Sequence, residues 1–156
     1  AQGRYPVEAV EMLGRLAGDA ETAIAPRDGE VHGSRLNSEE AVAQAATRLA
    51  ESIGASAILT CTQSGSTTRL VSRLRPHIPL IAATPEPRTY RKLALVWGAV
   101  PLLMRRADTA EEMEKEALRS AVAAGLIRGG ETVVITAGLP LHVPGSTNTV
   151  KVSVVQ

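Results

Sequence analysis

Short apolar runs alternate with segments of helical periodicity along most of this chain, and this alternation constrains the fold more than any other feature. Four runs of strand length cover residues 55–61, 78–84, 99–104 and 131–138. Strands that alternate with helices form parallel sheets with right-handed crossovers. A fifth run, 149–155, follows a loop alone and alternates valine with polar residues, so we expect it to be an antiparallel edge strand. The sequence therefore predicts an α/β three-layer sandwich, with helices on both faces of a five-stranded, mostly parallel sheet.

Capping residues mark where several helices begin. Asn37, with Glu40 three residues later, predicts a capping box at the start of one helix. This helix is expected to bury a stripe of apolar side chains, namely Ala41, Val42, Ala45, Leu49 and Ile53. Thr84, with Pro85 behind it, is expected to cap a later helix that runs to Trp97.

The chain divides into three parts by composition. Residues 1–24 carry apolar residues at helical spacing, whereas residues 25–37 contain proline and glycine without any period, as in a linker. Residues 38–156 carry the α/β pattern, a length that suits a single domain. The chain begins at Ala1 rather than at a methionine, which we interpret as a sign that it was cut from a longer protein.

Composition argues against several kinds of partner. Seventeen basic and sixteen acidic residues leave a net charge of +1, and aromatic residues are scarce, so neither a basic surface nor a base-stacking platform for nucleic acid is indicated. Cys61 is the single cysteine, which excludes an internal disulfide and fits a reducing compartment. No apolar run approaches the ~20 residues that span a bilayer, and no signal peptide is recognisable. We therefore expect a cytoplasmic protein without nucleic-acid or membrane partners.

One loop has the composition of an anion-binding site. It follows the first predicted strand and opens a helix, and its residues are Thr62, Gln63, Ser64, Gly65, Ser66 and Thr67. Backbone N–H groups at a helix start, the helix dipole and several hydroxyls suit a phosphate. Arg69 would add charge if its side chain faces the loop. The alternative is an ordinary strand-to-helix turn, because the loop lacks the glycine pattern of a P-loop or of a dinucleotide-binding turn.

A second loop, 138–148, leaves the fourth predicted strand at the same edge of the sheet. If the fourth strand neighbours the first, the two loops flank one crevice, where open α/β sheets bind their ligands. The residues expected to cover a ligand there are Gly138, Pro144, Gly145, Ser146 and Thr147. The alternative is a long surface connection without a binding role.

No set of residues predicts catalysis or metal binding. His32, His77 and His142 are scattered without metal-ligand spacing, and no serine lies in a nucleophile-elbow motif. Cys61 ends a buried strand, where an inert structural thiol is the favoured interpretation. We expect no catalytic residue, no metal and no cofactor in this chain.

The order of these features resembles the C-terminal domain of pyruvate kinase. The matching segments are YPVEAVEML (5–13), ILTCTQSGSTTRLVSRLRP (58–76), PLIAATPEPRTYRKLALVWGAVPLL (79–103), AGLIRGGETVVITAG (124–138) and PGSTNTVKV (144–152). The resemblance implies that residues 1–24 are the last helix of the catalytic barrel, whose active site lies outside this chain. The parent enzyme would transfer phosphate from phosphoenolpyruvate to ADP, giving pyruvate and ATP in glycolysis. Its Mg²⁺, its K⁺ and its ADP/ATP would belong to the barrel.

The resemblance also implies a regulatory role. In this family the loop matching 62–67 holds the phosphate of an allosteric effector, and the loop matching 138–148 closes over it. Members that respond to fructose bisphosphate have lysine where this chain has Gln63 and arginine where it has Met113. A monophosphate such as AMP, ribose 5-phosphate or glucose 6-phosphate is therefore expected.

Assembly is the second role that the resemblance implies. Family members are usually homotetramers, and the strand TVKVSVV (149–155) is a candidate subunit contact. Two alternatives stay open. In the first, the domain only assembles the oligomer and its phosphate loop is vestigial. In the second, it is an independent domain that never had a barrel.

Overall fold

A computed structural model describes residues 3–23, 35–141, 143 and 146–156. Ten helices and strands occur among these residues. In chain order they are α1 (Pro6–Ala23), α2 (Ser38–Ser52), β1 (Ala57–Cys61), α3 (Ser66–Arg73), β2 (Leu80–Thr84), α4 (Pro87–Leu93), β3 (Ala99–Leu103), α5 (Ala110–Ala123), β4 (Thr132–Gly138) and β5 (Thr147–Val154).

The strands form one sheet in the order β3-β2-β1-β4-β5. β1 pairs in parallel with β2 on one side and with β4 on the other, and β2 pairs in parallel with β3. β5 is antiparallel to β4 and forms the edge. The predicted architecture is confirmed. The first and fourth strands are neighbours, which is the condition that the predicted crevice required.

The two faces of the sheet carry separate hydrophobic clusters. On one face, side chains of β1 and β4 such as Ile58 and Val134 pack with alanines of α2 and with Val71 of α3. On the other face, alternate residues of the same strands pack against α5, as Leu59 packs in the cluster that contains Ala117. Helices therefore cover both faces, and every residue of β1 and of β2 is buried.

The predicted capping box of α2 is confirmed, but its predicted buried face is wrong. Asn37 Oδ1 accepts a hydrogen bond from the Glu40 amide at 2.9 Å, and Glu40 Oε2 accepts one from the Asn37 amide at 3.1 Å. The buried residues of the helix are Ala43, Ala46, Thr47 and Ala50. Ala41, Ala45 and Ile53 are exposed, whereas Leu49 is half-buried against the core. A helix this rich in alanine has little contrast between its faces, so close approach to the sheet selects the small side chains.

The predicted cap at Thr84 is also wrong. Thr84 is the last residue of β2, and the N-cap of α4 is Glu86. The Thr84 hydroxyl oxygen accepts a hydrogen bond from the Glu86 amide at 3.2 Å, so it orders the turn rather than the helix. Pro87 occupies the first helical position, and the helix ends at Leu93 instead of Trp97.

The predicted division of the N-terminal region into a barrel helix and a linker stays a prediction. α1 confirms a helix within residues 1–24, and its apolar side chains Val7, Val10 and Leu13 are exposed. The predicted linker 25–37 lies outside the described residues except for 35–37. No helix among the described residues is long and apolar enough to cross a membrane.

The corrected face of α2 yields a stability test. We expect Ala46→Leu to lower the free energy of unfolding by about 1–3 kcal/mol, because the larger side chain overpacks a fully buried position. Ala45→Leu, which makes the same change on the exposed face, is expected to alter it by less than about 0.5 kcal/mol. Chemical denaturation of both variants measures the difference. Equal effects would show that the helix face is assigned incorrectly.

Candidate functional site

A cleft that is open to solvent lies beyond the carboxyl ends of the parallel strands. The strand order reverses at this point, because β1 and β4 are neighbours while β2 and β3 extend to the other side. The predicted phosphate loop contributes Thr62, Gln63, Ser64, Ser66 and Thr67 to the lining, and the second loop contributes Gly138, Ser146 and Thr147. The structure thus brings the two predicted loops to one cleft. Pro144 and Gly145 lie outside the described residues.

Gly65 determines the shape of the first loop. Its φ of 83° lies in the left-handed region, and it serves as the N-cap of α3. A Cβ at this position would lie 3.1 Å from both Arg69 Nη1 and a Leu93 methyl carbon. The Gly65 amide donates to Thr62 Oγ1 at 2.9 Å, which closes the turn. The backbone conformation therefore favours glycine here, and a Cβ would also make the Arg69 and Leu93 side chains shift by a few tenths of an ångström.

Two hydrogen bonds turn the loop carbonyls toward the protein. The Gln63 carbonyl oxygen accepts from Thr89 Oγ1 at 2.6 Å, and the Ser64 carbonyl oxygen accepts from Arg69 Nη2 at 3.2 Å. In a planar trans peptide the N–H points away from the carbonyl, so the Ser64 amide is directed away from Thr89. The Arg69 side chain faces the loop, which is the orientation that the sequence left open. It contacts the loop backbone, however, and is not among the residues that line the cleft.

The loop already uses part of its hydrogen-bonding capacity on itself. The Gly65 amide is bound to Thr62, and the Ser66 amide donates to Ser64 Oγ over a longer 3.3 Å. Ser64 Oγ in turn donates to Ser66 Oγ at 3.1 Å. The first intrahelical bond of α3 is made by the Arg69 amide, so the amides of Thr67 and Thr68 have no acceptor within the helix.

The second loop is tied to the first at its base. Thr67 Oγ1 and Thr147 Oγ1 lie 2.6 Å apart, and both side chains are buried. Asn148 binds Leu139 twice, accepting from its amide at 2.9 Å and donating to its carbonyl oxygen at 2.6 Å. A Cβ on Gly138 would lie 2.5 Å from Ser146 Oγ, so only glycine lets the returning chain cross so closely.

Sequence reasoning missed part of the apolar lining of the cleft, namely Pro85, Met104 and Ala107. Together with Met113 and with Leu141 and Val143 of the second loop, which the sequence had already placed at the site, they form its apolar wall. Arg106 lies at its rim and forms an ion pair with Glu86 over 3.6 Å. Most of these residues follow β2 or β3 or begin α5, so the rule that ligands bind beyond strand ends was the signal that could have identified them.

Cys61 also lines the cleft, at the end of β1, and its thiol is buried. Burial, with a smaller contribution from the Glu114 carboxylate, raises the pKa of Cys61 from 9.0 to about 12. The thiol is therefore neutral at physiological pH and a poor nucleophile. Within the described part of the chain, no cluster of three or more histidine, cysteine, aspartate or glutamate residues could hold a metal ion.

Comparison with known proteins identifies relatives across the whole chain. The family model for the pyruvate kinase alpha/beta domain matches residues 40–153. Similar proteins include the pyruvate kinase of Clostridium acetobutylicum, 38% identical over 162 residues that cover 100% of this chain and 34% of that protein. The pyruvate kinase of Geobacillus stearothermophilus is 39% identical over 158 residues, covering 99% of this chain and 27% of that protein. The chain thus spans about a third or less of the length of the curated relatives it matches.

The state of Cys61 can be tested by its reactivity and by pH. We expect the native thiol to react with a disulfide reagent at neutral pH about a hundredfold or more slowly than the denatured chain, because it is buried and protonated. The unfolded thiol ionises near pH 9.0 and the folded one near 12, so its contribution to stability is complete below pH 9.0 and is lost as pH rises between these values.

A Cys61→Ala variant is the control for the pH measurement, since lysine and tyrosine also titrate in this range. The difference between the two proteins in how the free energy of unfolding depends on pH gives the contribution of the thiol. Fast labelling of the native chain, or identical pH profiles for both proteins, would contradict the prediction.

Proposed function

This chain belongs to the pyruvate kinase family as its C-terminal alpha/beta domain, and from this premise we propose that it is a regulatory domain that binds a phosphorylated metabolite in the cleft. The observation that carries the proposal is the convergence of two loops at the point where strand order reverses. The loop after β1 leads into α3, whose first amides lack acceptors within the helix. The loop after β4 leads into β5. This is where open α/β sheets bind anionic ligands.

The charges of the cleft favour a ligand with a single phosphate. Among the described residues that line it, Arg106 is the only charged side chain. Gln63 and Met113 also line the cleft, and by the family resemblance they replace the lysine and arginine of members that respond to fructose bisphosphate. Neutral amides and hydroxyls can hold one phosphate, but a second one on the apolar wall would lose its hydration without compensation.

Binding would be communicated through rigid contacts rather than through a flexible hinge. The Thr67–Thr147 contact links the start of α3 to the first residue of β5. A ligand that orders the loop start therefore biases the position of an edge strand, which is available to another subunit. Such coupling between a regulatory and an active site is typically worth about 1–3 kcal/mol.

The chemistry of the parent enzyme lies outside this chain in the proposal. We propose that the whole protein is a cytoplasmic glycolytic kinase that transfers phosphate from phosphoenolpyruvate to ADP, using Mg²⁺ and K⁺ held by its catalytic barrel. α1, with its exposed apolar face, is proposed as the part of that barrel which this chain retains. The residues of the cleft bind the effector and take no part in the reaction.

Direct titration tests the binding site. We expect calorimetry on this chain to detect AMP, ribose 5-phosphate or glucose 6-phosphate, and a ligand present at a hundred times its Kd to stabilise the fold by about 2.7 kcal/mol. Ser64→Asp is expected to abolish binding, because its carboxylate repels the phosphate at close range. If none of the three ligands binds or stabilises the protein, the regulatory proposal fails.

Ser56→Asp is the matched control for this experiment. Ser56 is exposed and precedes β1, so it lies at the end of the strand that faces away from the cleft. Ser56→Asp therefore adds the same negative charge as Ser64→Asp, but far from the proposed site. It is expected to bind the ligand as the unmodified chain does. Equal loss of binding in both variants would point to net charge or misfolding rather than to the loop.

A second candidate function is assembly of the oligomer alone. The exposed apolar side chains of the edge strand β5 favour this function, since Val152 is 43% exposed and Val154 is 58% exposed. Exposed apolar edge strands are normally covered, and pairing with the same strand of another subunit would cover this one. In this case the phosphate loop would be vestigial.

Charged substitutions on the edge test assembly. We expect a Val152→Lys, Val154→Lys double variant to shift the sedimentation of the chain toward the monomer, because lysine on an edge strand opposes pairing. Val100→Lys on β3, the other edge, is the control and is expected to leave the mass unchanged. Unchanged association of the double variant would exclude β5 as the contact.

A further inference from the structure

We propose that the surface around Trp97 is the contact by which the α/β domain holds α1, and that α3 connects this contact to the phosphate loop. Trp97 is half-buried and lies in the turn between α4 and β3. Its indole Nε1 donates to Glu21 Oε1 of α1 at 2.8 Å, although the two residues are 76 positions apart in the chain. Trp97 is not among the described residues that line the cleft, so this is a second, separate surface.

Arg75 supplies the second charge of the contact. Its guanidinium carbon lies 4.9 Å from the centre of the Trp97 ring, within the range of a cation–π interaction. The Glu21 carboxylate binds the edge of the same ring, so side chains of opposite charge lie against one indole. An indole that meets a cation on its face and an anion at its N–H uses both of its polar properties, which apolar packing alone would not require.

The backbone at Arg75 is strained, which indicates that its side chain has a role. Its φ of 49° lies in the left-handed region, and it directly follows Leu74, the C-cap of α3. Glycine is the usual residue at this position, because a side chain makes the left-handed conformation unfavourable. An arginine here costs conformational free energy, which its stacking on Trp97 offsets. The strain therefore favours a specific contact over an incidental one.

α3 lies between this contact and the phosphate loop. The loop leads into α3 at Ser66, and the helix runs for eight residues, or about 12 Å at the usual rise per residue. Half of its residues are buried against the sheet and α2, so the short helix moves as one body. At its far end Ser72 Oγ donates to the Trp97 carbonyl oxygen at 2.6 Å. A displacement at the start of α3 is therefore passed to Trp97 and so to Glu21.

The contact lies at the last turn of α1 and leaves the earlier turns accessible. Glu21 is close to the end of the helix at Ala23, whereas the exposed apolar side chains Val10, Leu13 and Leu16 lie nearer its start. A polar contact at one end sets the direction of α1 and leaves these apolar side chains to pack elsewhere. In the proposed whole protein they would face the catalytic barrel, so the contact sets how the barrel and the regulatory domain are oriented.

Trp97 is the single tryptophan of the chain, so its fluorescence reports the contact directly. We expect Glu21→Ala to raise the quenching of Trp97 by acrylamide about twofold and to shift its emission to longer wavelength, because release of α1 exposes the indole to water. Acrylamide is uncharged, so the lost carboxylate does not by itself alter the quenching. Glu21→Gln keeps an acceptor oxygen for the indole and is expected to retain most of the protection.

Glu11→Ala is the matched control. Glu11 is exposed and lies earlier on the same helix, so its replacement removes the same charge away from Trp97. It is expected to leave the quenching and the emission unchanged. Unchanged quenching in Glu21→Ala, or an equal rise in both variants, would show that the surface around Trp97 does not hold α1 and would overturn the proposal.

The connection through α3 rests on the proposed function and is tested with whichever of AMP, ribose 5-phosphate and glucose 6-phosphate binds by calorimetry. We expect the emission of Trp97 to change over the same ligand concentrations, with a midpoint within about twofold of the calorimetric Kd. Ser72→Ala is expected to reduce this change at least about threefold and to leave the Kd within about twofold, because it breaks the link without altering the cleft.

The outcomes separate the connection from the proposed function. Binding without any change in Trp97 emission would overturn the connection and leave the proposed regulatory function intact. Failure of all three ligands to bind would overturn the proposed function and the connection with it, whereas acrylamide quenching decides the contact with α1 independently.

Discussion

The pairing of β1 with β4 is the constraint on which the rest of the structure depends. All five residues of β1 are buried, so this strand must lie inside the sheet with neighbours on both sides. The chain adds β2 and β3 on one side and then returns, through α5 on the opposite face, to add β4 on the other. The loop that leaves β1 opens α3, and the loop that leaves β4 leads directly into β5. The position of the cleft beyond these two strand ends is a consequence of this connectivity.

Small and hydroxyl-bearing side chains make this arrangement rigid. Alanines of α2 allow the helix to lie close to β4 and β5, and this close packing compensates for the shortage of aromatic residues. Around α3, buried hydroxyls replace apolar contacts: Thr60 and Thr68 are joined at 2.7 Å, and Thr67 and Thr147 at 2.6 Å. Breaking such a pair would leave two buried hydroxyls without partners, so these contacts hold the start of α3 relative to both the sheet and the edge strand. A helix start held in this way can present its amides in one orientation.

The proposed site binds through neutral donors more than through charge. Amides and hydroxyls supply most of its polar contacts, and its charged side chain is at the rim. The burial that keeps Cys61 protonated also keeps the cleft floor apolar and unreactive. A site of this kind can recognise a metabolite reversibly without altering it, which suits a domain whose relatives are kinases. Regulation and catalysis would then depend on separate parts of one protein.

The sequence by itself determined the class of the fold, the capping box at Asn37, the loop at 62–67 and the position of its glycine. These features depend on local chemistry: strand and helix periods, capping hydrogen bonds and the left-handed conformation of Gly65 are set by neighbours in the chain. Only the tertiary structure decided which face of α2 is buried and that the first helix residue after β2 is Pro87. It also decided that Met104, Arg106 and other residues from distant segments form the second wall of the cleft. The physical reason is that a binding wall is assembled by strand order, and strand order arises from contacts between residues far apart in the chain.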